Sequence, residues 1–385
     1  MQTIRQIAVG VYDGPHATPE LYEKGGAIFL GIPNILQDGR IDLADARWVA
    51  ERDIPKWNRR VTPQANDIVF TYEATLNRYA IIPEDLPCCL GRRTALIRPN
   101  PEKINYCYLF YYFFSPAWRH QIEANTLTGA TVDRISLTKF PEFQVFVPPL
   151  GEQQRIVEIL GAYDDLIATN QRRITLLEDA ARRLYREWFM HLRFPGHESV
   201  MVKDGVPQGW SSKPLGNIAT LNYGKSLKST ERKDGNVPVY GSSGIVGIHN
   251  VALVGAGAIV VGRKGNVGSL YYSHEPCFPI DTVFFISPDK ASYRLFLALH
   301  QLNFVSSDAA VPGLNRTYAQ SLPLLLPTEN VQTEFERLAA PMFDQIQGLT
   351  QYNRQLAQAR DLLLPKLMSG QLDVSAIALP DEVAA

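Results

Sequence analysis

The side chains of Gly224-Lys225-Ser226 are those that end a phosphate-binding loop, but that loop's spacing requires a glycine where this chain has Ala219. Gly255, Gly257 and Gly262 approach a dinucleotide fingerprint, and the last interval is too long. Tight turns between strands account for these glycines better. Glu231-Arg232-Lys233 carries the Glu-x-Lys of many nucleases. The carboxylate upstream, Asp204, falls in a Gly/Pro-rich stretch, whereas metal catalysis needs ligands held on rigid elements. The seven histidines are scattered, with no pair at metal-helix spacing and none in a nucleophile context. Cys88, Cys89, Cys107 and Cys277 lack a metal-ligand spacing and are expected to be small buried hydrophobes. No catalytic residue, metal site or cofactor is expected.

The polar loops suit a polyanion. Tyr223, Lys225, Ser226 and Lys228 make a basic loop with an aromatic. Ser242 and Ser243 sit in the turn Tyr240-Gly241-Ser242-Ser243-Gly244, and Arg263, Lys264 and Asn266 form a strand-connecting tip. The first half offers Tyr72 to Arg78, with Asn77 inside, then Arg92-Arg93 and the turn ending at Thr131. His16 and Arg316 complete the candidate DNA-contacting set. Arg and Lys can bridge guanine O6 and N7, Asn can bridge adenine, and Ser or backbone N–H groups hold phosphates. Ordinary solvated turns remain the alternative, because charged loops are the default on any surface.

Charge bears on this choice. The chain of 385 residues has a formal net charge of −1, with 45% hydrophobic and 20% charged residues. That composition is globular, and the length admits two or three domains. The balance is uneven: residues 1–149 hold 16 basic and 16 acidic side chains, residues 203–327 hold 11 and 7, and residues 328–385 hold 4 and 8. A basic module is compatible with a polyanion partner without proving one. The N-terminus shows no basic-then-apolar signal and no run of about 18 apolar residues occurs, so a cytoplasmic protein is expected.

The elements that must position these loops are of mixed type. In residues 1–149, short apolar runs at 27–30, 67–71, 94–98 and 143–147 predict strands, and 106–120 predicts a helix packed through Leu109, Phe113 and Trp118. Residues 210–327 repeat the plan, with strands at 237–240, 258–261, 269–272 and 282–286 and a helix over 293–302. Residues 195–209 are a linker, and 371–385 an acidic tail expected to be mobile.

After each domain comes a long helix, over 150–194 and 328–370. In the first, Ile156, Ile159, Tyr163, Ile167, Asn170, Ile174, Leu177, Ala181, Leu184 and Trp188 recur at a period near 3.5, the seam of a coiled helix–helix contact. Adding 179 to these numbers reaches a second seam containing Phe335, Leu338, Met342, Ile346, Leu349, Leu356, Leu363 and Leu367. Two such seams on one chain can pair, and Asn170 is a candidate for fixing their register. Pro341 and Pro365 predict a kink or break in the second helix, and Ser369-Gly370 its end. The order domain–helix–domain–helix is an internal duplication of α+β domains.

Four segments carry a resemblance. Pro148-Pro149-Leu150-Gly151-Glu152-Gln153-Gln154-Arg155-Ile156, Tyr240 to Gly247, Gly262-Arg263-Lys264-Gly265-Asn266-Val267-Gly268 and Leu362 to Gly370, with its Leu-Pro-Lys-Leu-Met-Ser-Gly ending, resemble the DNA-specificity (S) subunit of Type I restriction–modification systems. The likeness spans nearly the whole chain. It implies two target-recognition domains held apart by an antiparallel pair of helices, each domain reading half of a split sequence in double-stranded DNA. It also implies that the chain is not itself an enzyme, docks two methyltransferase (M) subunits, and meets nuclease/translocase (R) subunits through the complex. The second domain has a lead, Pro207 to Leu215, that the family usually carries before both domains; the first starts at once, with Ile4 and Ile7 where Leu215 and Ile218 stand. The competing classes are a non-catalytic scaffold without DNA readout and a stand-alone DNA-modifying enzyme.

Overall fold

A computed structural model describes residues 1–129, 132–305 and 313–374. The chain forms two compact units, one made of Met1–Ala168 with the described residues from Asn353 onward, the other of Thr169–Tyr352.

The first unit is built on a four-stranded antiparallel sheet in the order Ala8–Asp13, Thr94–Pro99, Ile68–Thr71, Tyr79–Ile81. Successive side chains of a strand point to opposite faces. Ile68 and Phe70, with Ala95 and Ile97, therefore enter one core, and Val69 and Leu96 enter another. The first core is aromatic: Phe70, Tyr79, Phe113, Trp118 and Phe140 stack or meet edge to face, and the Trp118 indole N–H donates to the Tyr79 hydroxyl at 2.8 Å. Against the other face lies a three-stranded sheet, Trp48–Val49, Ala27–Leu30, Cys88–Leu90, whose last pair is parallel.

The second unit repeats this order. Asn222–Tyr223, Val283–Ile286, Ala258–Gly262 and Leu270–Ser273 form the four-stranded sheet. Gly244–His249, Val237–Gly241 and Phe278–Pro279 form the three-stranded one, again ending in a parallel pair. Ile259, Val261, Phe284 and Ile286 face one core, and Ala258, Val260 and Val283 the other.

The helix expected over 106–120 is two helices, Tyr106–Tyr112 and Pro116–Ala124. Pro116 fits a first helical turn, where no backbone donor is needed, and the Ser115 hydroxyl caps the Trp118 N–H at 3.3 Å. Its counterpart runs Tyr293–Leu299, shorter than expected. Cys88, Cys89 and Cys277 are buried and Cys107 is half-buried, all as free thiols. Burial pushes Cys88 up to about 12 and Cys89 up to about 11.

The long helices are Leu150–Tyr185, extended by a wider turn at Arg186–Met190, and Glu329–Met368. The second runs unbroken through Pro341 and Pro365, so of the expected kink or break the break does not occur. An interior proline costs a helix about 3 kcal/mol. Around Pro341, whose own ring is exposed, Phe335, Ala339 and Phe343 are buried on one face and offset that cost. Gly370, at φ +70°, ends the helix as expected, with Gln371 N–H on the Lys366 carbonyl at 3.0 Å.

Each unit contains part of both helices. In the first, Ile156, Ile159 and Leu160 share a core with Leu364, Leu367 and Met368, and Tyr163 and Leu363 pack against it. Asn353 donates to the Ile167 carbonyl at 3.2 Å. Asp164 accepts from the Tyr111 hydroxyl at 2.6 Å and pairs with Arg360, which also holds Asp361 at 2.9 Å. Burial opposes the Arg360 charge, yet the two carboxylates leave its pKa above the ordinary arginine range. In the second unit Ala181, Tyr185, Trp188 and Phe189 share a core with Phe335, Ala339 and Phe343; Leu184, Leu338, Met342 and Ile346 pack on it. Phe343 stacks on Tyr293 at 4.2 Å, which explains why full burial falls beside the Leu338–Met342 stripe: that face of the helix meets the domain. Asn170, Ile174 and Leu356 are buried, and Ile167 and Leu177 half-buried.

The start of each long helix is locked in the same way. Gln153 Nε2 donates to the Pro148 carbonyl at 2.8 Å, and Gln332 Nε2, 179 residues later, to the Pro327 carbonyl at 2.8 Å.

Candidate nucleic-acid interface

Two of the candidate loops sit at equivalent places in the two units: one follows the edge strand of the four-stranded sheet and one connects its second pair of strands. Arg92 precedes the other central strand of the first unit, whereas in the second unit Ser242 and Ser243 turn a hairpin of the three-stranded sheet and Arg316 begins a helix.

In the first unit Asp13 ends the edge strand, lies 3.1 Å from the Nε2 of exposed His16 and pairs with Arg60. His16 lies edge-on to Tyr72, with ring centroids 6.5 Å apart. Tyr72 is buried, its hydroxyl donating to the Arg92 carbonyl at 3.3 Å. Burial, then the charges of Asp13 and Glu73, push that phenol up to about 12, so it stays a neutral donor. Arg92 is exposed, and Arg93 lies 3.5 Å from Glu73. Ala74 and Asn77 turn the hairpin with φ of 69° and 60°, and Asn77 Oδ1 accepts from Tyr79 at 3.3 Å. Arg78 donates to the carbonyls of Ile32 and Ile35 at 3.2 and 3.1 Å, so it braces the loop from within. Thr131 lies outside the described residues.

The second unit gathers its cations around one ring. The Arg263 guanidinium carbon lies 5.0 Å from the Tyr223 centroid and that of Arg316 lies 5.3 Å from it, while Tyr223 stays about half exposed at 49%. A cation over an aromatic face is attracted by the ring's quadrupole. Arg263 Nη1 donates to the Asp281 carbonyl at 3.1 Å, and Arg316 Nε to Gln320 Oε1 at 2.7 Å. The backbone N–H groups of Arg263 and Lys264 both reach the Thr282 carbonyl, at 2.9 and 3.0 Å, which fixes the tip against the central strand. Lys264 is exposed. Beside it Asn266 Nδ2 lies 3.5 Å from the Ser243 hydroxyl, and the Ser242 carbonyl accepts from Ser269 at 2.6 Å and Tyr271 at 3.2 Å. The tip reverses at Gly265, φ +77°, a conformation that favours glycine.

Lys225, Ser226 and Lys228 are exposed on the loop after Tyr223. A Cβ on Gly224 would run into the backbone of Pro279 and Ile280, so this glycine serves close packing against a strand. Among the described residues no group of three or more His, Cys, Asp or Glu could hold a metal ion, and no helix is long and apolar enough to cross a membrane.

Two contributors escaped the sequence reading. Arg60 lies far along the chain from Asp13, and nothing local signals their meeting. Gln320 was within reach, because its i+4 spacing from Arg316 on the helix Arg316–Ser321 puts both on one face.

Similarity to known proteins bears on this arrangement. The family model described as the Type I restriction modification DNA specificity domain matches residues 15–179 and 207–340. The Type I restriction enzyme MjaIX specificity subunit of Methanocaldococcus jannaschii is 22% identical over 362 residues, 85% of this chain and 82% of that protein. The HindI specificity subunit of Haemophilus influenzae is 19% identical, over 83% of this chain and 89% of that one. The crystal structure of a Type I restriction–modification system S subunit from M. genitalium aligns with a TM-score of 0.59 at 18% identity, covering 95% of each chain, a likeness of fold. With two repeated domains that each fall under the family match, the chain belongs to the Type I restriction–modification DNA specificity family.

Proposed function

We propose that each domain reads one half of a bipartite target in double-stranded DNA, and that the two long helices pair as an antiparallel coiled coil that sets the distance between the half-sites. The observation that carries this is the repeated sheet order with different side chains in equivalent loops: Asp13, His16 and Tyr72 in one unit, Tyr223, Lys225, Arg263 and Lys264 in the other. One scaffold with two chemistries is what two unlike half-sites require. The domain limits are 1–149 and 210–327, and the helical segments 150–194 and 328–370. Base edges are read directly while cations anchor phosphates.

Methyl transfer and cleavage belong to partners. The chain docks two methyltransferase subunits on the outer faces of its helices, and the assembly recruits nuclease/translocase subunits. The helix pairing is supported by Asn353 on the Ile167 carbonyl and by Arg360 on Asp164.

A helix of about 40 residues extends roughly 60 Å, and four added residues extend it by about 6 Å. Inserting four residues into both helices lengthens the preferred spacer by about 2 bp at roughly 3.4 Å per step. Methylation-site mapping of the complex reads this out, and an unchanged spacer overturns the ruler.

A further inference from the structure

The guanidinium of Arg316 is held by two neighbours, and a third residue fixes the helix that carries it. Gln320 Oε1 accepts its Nε at 2.7 Å, which fixes the plane of the group. The Tyr223 ring supports its face at 5.3 Å. Asn315 caps the helix that carries it, with its Oδ1 taking the Tyr318 N–H at 3.0 Å. Gly216 leaves room for this arrangement: a Cβ there would stand 2.8 Å from Gln320 Nε2 and 3.1 Å from Gln320 Cβ. With Nε engaged, the free edge is the Nη1/Nη2 fork, for which the described residues supply no hydrogen-bond partner.

We infer that Arg316 is a base-reading residue of the second domain, that it takes a guanine through O6 and N7, and that Gln320 is its positioning residue. This rests on the second domain reading a half-site. A phosphate needs only a nearby cation, and exposed Lys225, Lys228 and Lys264 supply three as flexible point charges. A fork fixed in plane and supported on an aromatic face loses little freedom on pairing, and it matches the two acceptors that guanine alone presents in the major groove. Arg263 is less suited, because one of its terminal nitrogens is already spent on the Asp281 carbonyl.

The test uses the chain co-expressed with its methyltransferase subunits and maps the methylation motif of each variant. One half-site should require a guanine, and Arg316→Ala should relax that position by about 10–100-fold, with Arg316→Lys, which keeps the charge but loses the planar fork, relaxing it less. The other half-site serves as the internal folding control and stays unchanged. Gln320→Ala relaxes the same position less, and Gln320→Glu, which keeps the acceptor oxygen, restores it. If Arg316→Lys leaves the motif intact while Arg316→Ala lowers modification evenly at all sites, Arg316 is a phosphate contact and the inference fails. A motif without guanine at the affected position also overturns it. Failure of the underlying reading looks different: the unaltered chain would then give no two-part motif.

Discussion

Two arginines at the sheet end of the first unit already have carboxylates, Arg60 on Asp13 and Arg93 on Glu73, and His16 lies beside Asp13 as well. In the second unit the described residues give Arg263, Lys264 and Arg316 no carboxylate; carbonyls, one amide and an aromatic ring hold them instead. The long helices show the same contrast with the chemistry exchanged. In the first unit Asp164 joins Tyr111 of the domain to Arg360 of the other long helix, whereas in the second Phe343 stacks on Tyr293 of the domain. One backbone plan therefore supports a loop cluster with carboxylate-paired cations beside a polar clamp and a loop cluster whose cations lack carboxylates beside an apolar one. Sheet order is set by the alternation of buried side chains, which both units share, and it leaves the loop tips free to differ.

The clamps give the largest expected effects. Phe343→Ala should cost about 3–5 kcal/mol by leaving a cavity beneath Tyr293, with little dependence on salt. Arg360→Met should cost only about 1 kcal/mol, since the pair it breaks is roughly a third exposed, and that loss should shrink as salt rises. Hydrogen exchange in each unit reads both variants. Equal salt dependence would erase the distinction between the clamps.

At the candidate loops, Lys264→Ala should weaken DNA binding by about 1 kcal/mol and flatten the salt dependence by about one phosphate equivalent. Asp13→Asn should do the reverse on a smaller scale: releasing His16 and Arg60 from their carboxylate steepens the salt dependence and tightens binding by under about 1 kcal/mol. Weaker binding in Asp13→Asn would mean that Asp13 orients these groups instead of competing for them.

How far the fold was legible in the sequence depended on how local its cause was. Strands such as Ile68–Thr71 and Ala258–Gly262 announced themselves through apolar runs, and the duplication through a constant offset that returns Gln153 as Gln332. The division at Ser115-Pro116 was also written locally, as a cap followed by a first-turn proline, and was read through. A break at Pro341 is averted because the local penalty is outweighed by burial that only the tertiary structure supplies. At the candidate site the residue types were visible, yet nothing local separates Arg78, spent on two carbonyls inside its unit, from half-exposed Arg316, whose Nε alone is engaged by a described hydrogen-bond partner.

The pair Asp164 and Arg360 has a further consequence. Under the 179-residue repeat, Asp164 corresponds to Phe343 and Arg360 to Ala181. Were the first long helix to associate with the same helix of another copy, Asp164 would meet Ala181 and leave its charge half-buried without a cation. The second helix, paired with its own copy, would set Arg360 against Phe343. Only the union of unlike halves satisfies both residues, so the repeat carries a means of telling its complement from its replica.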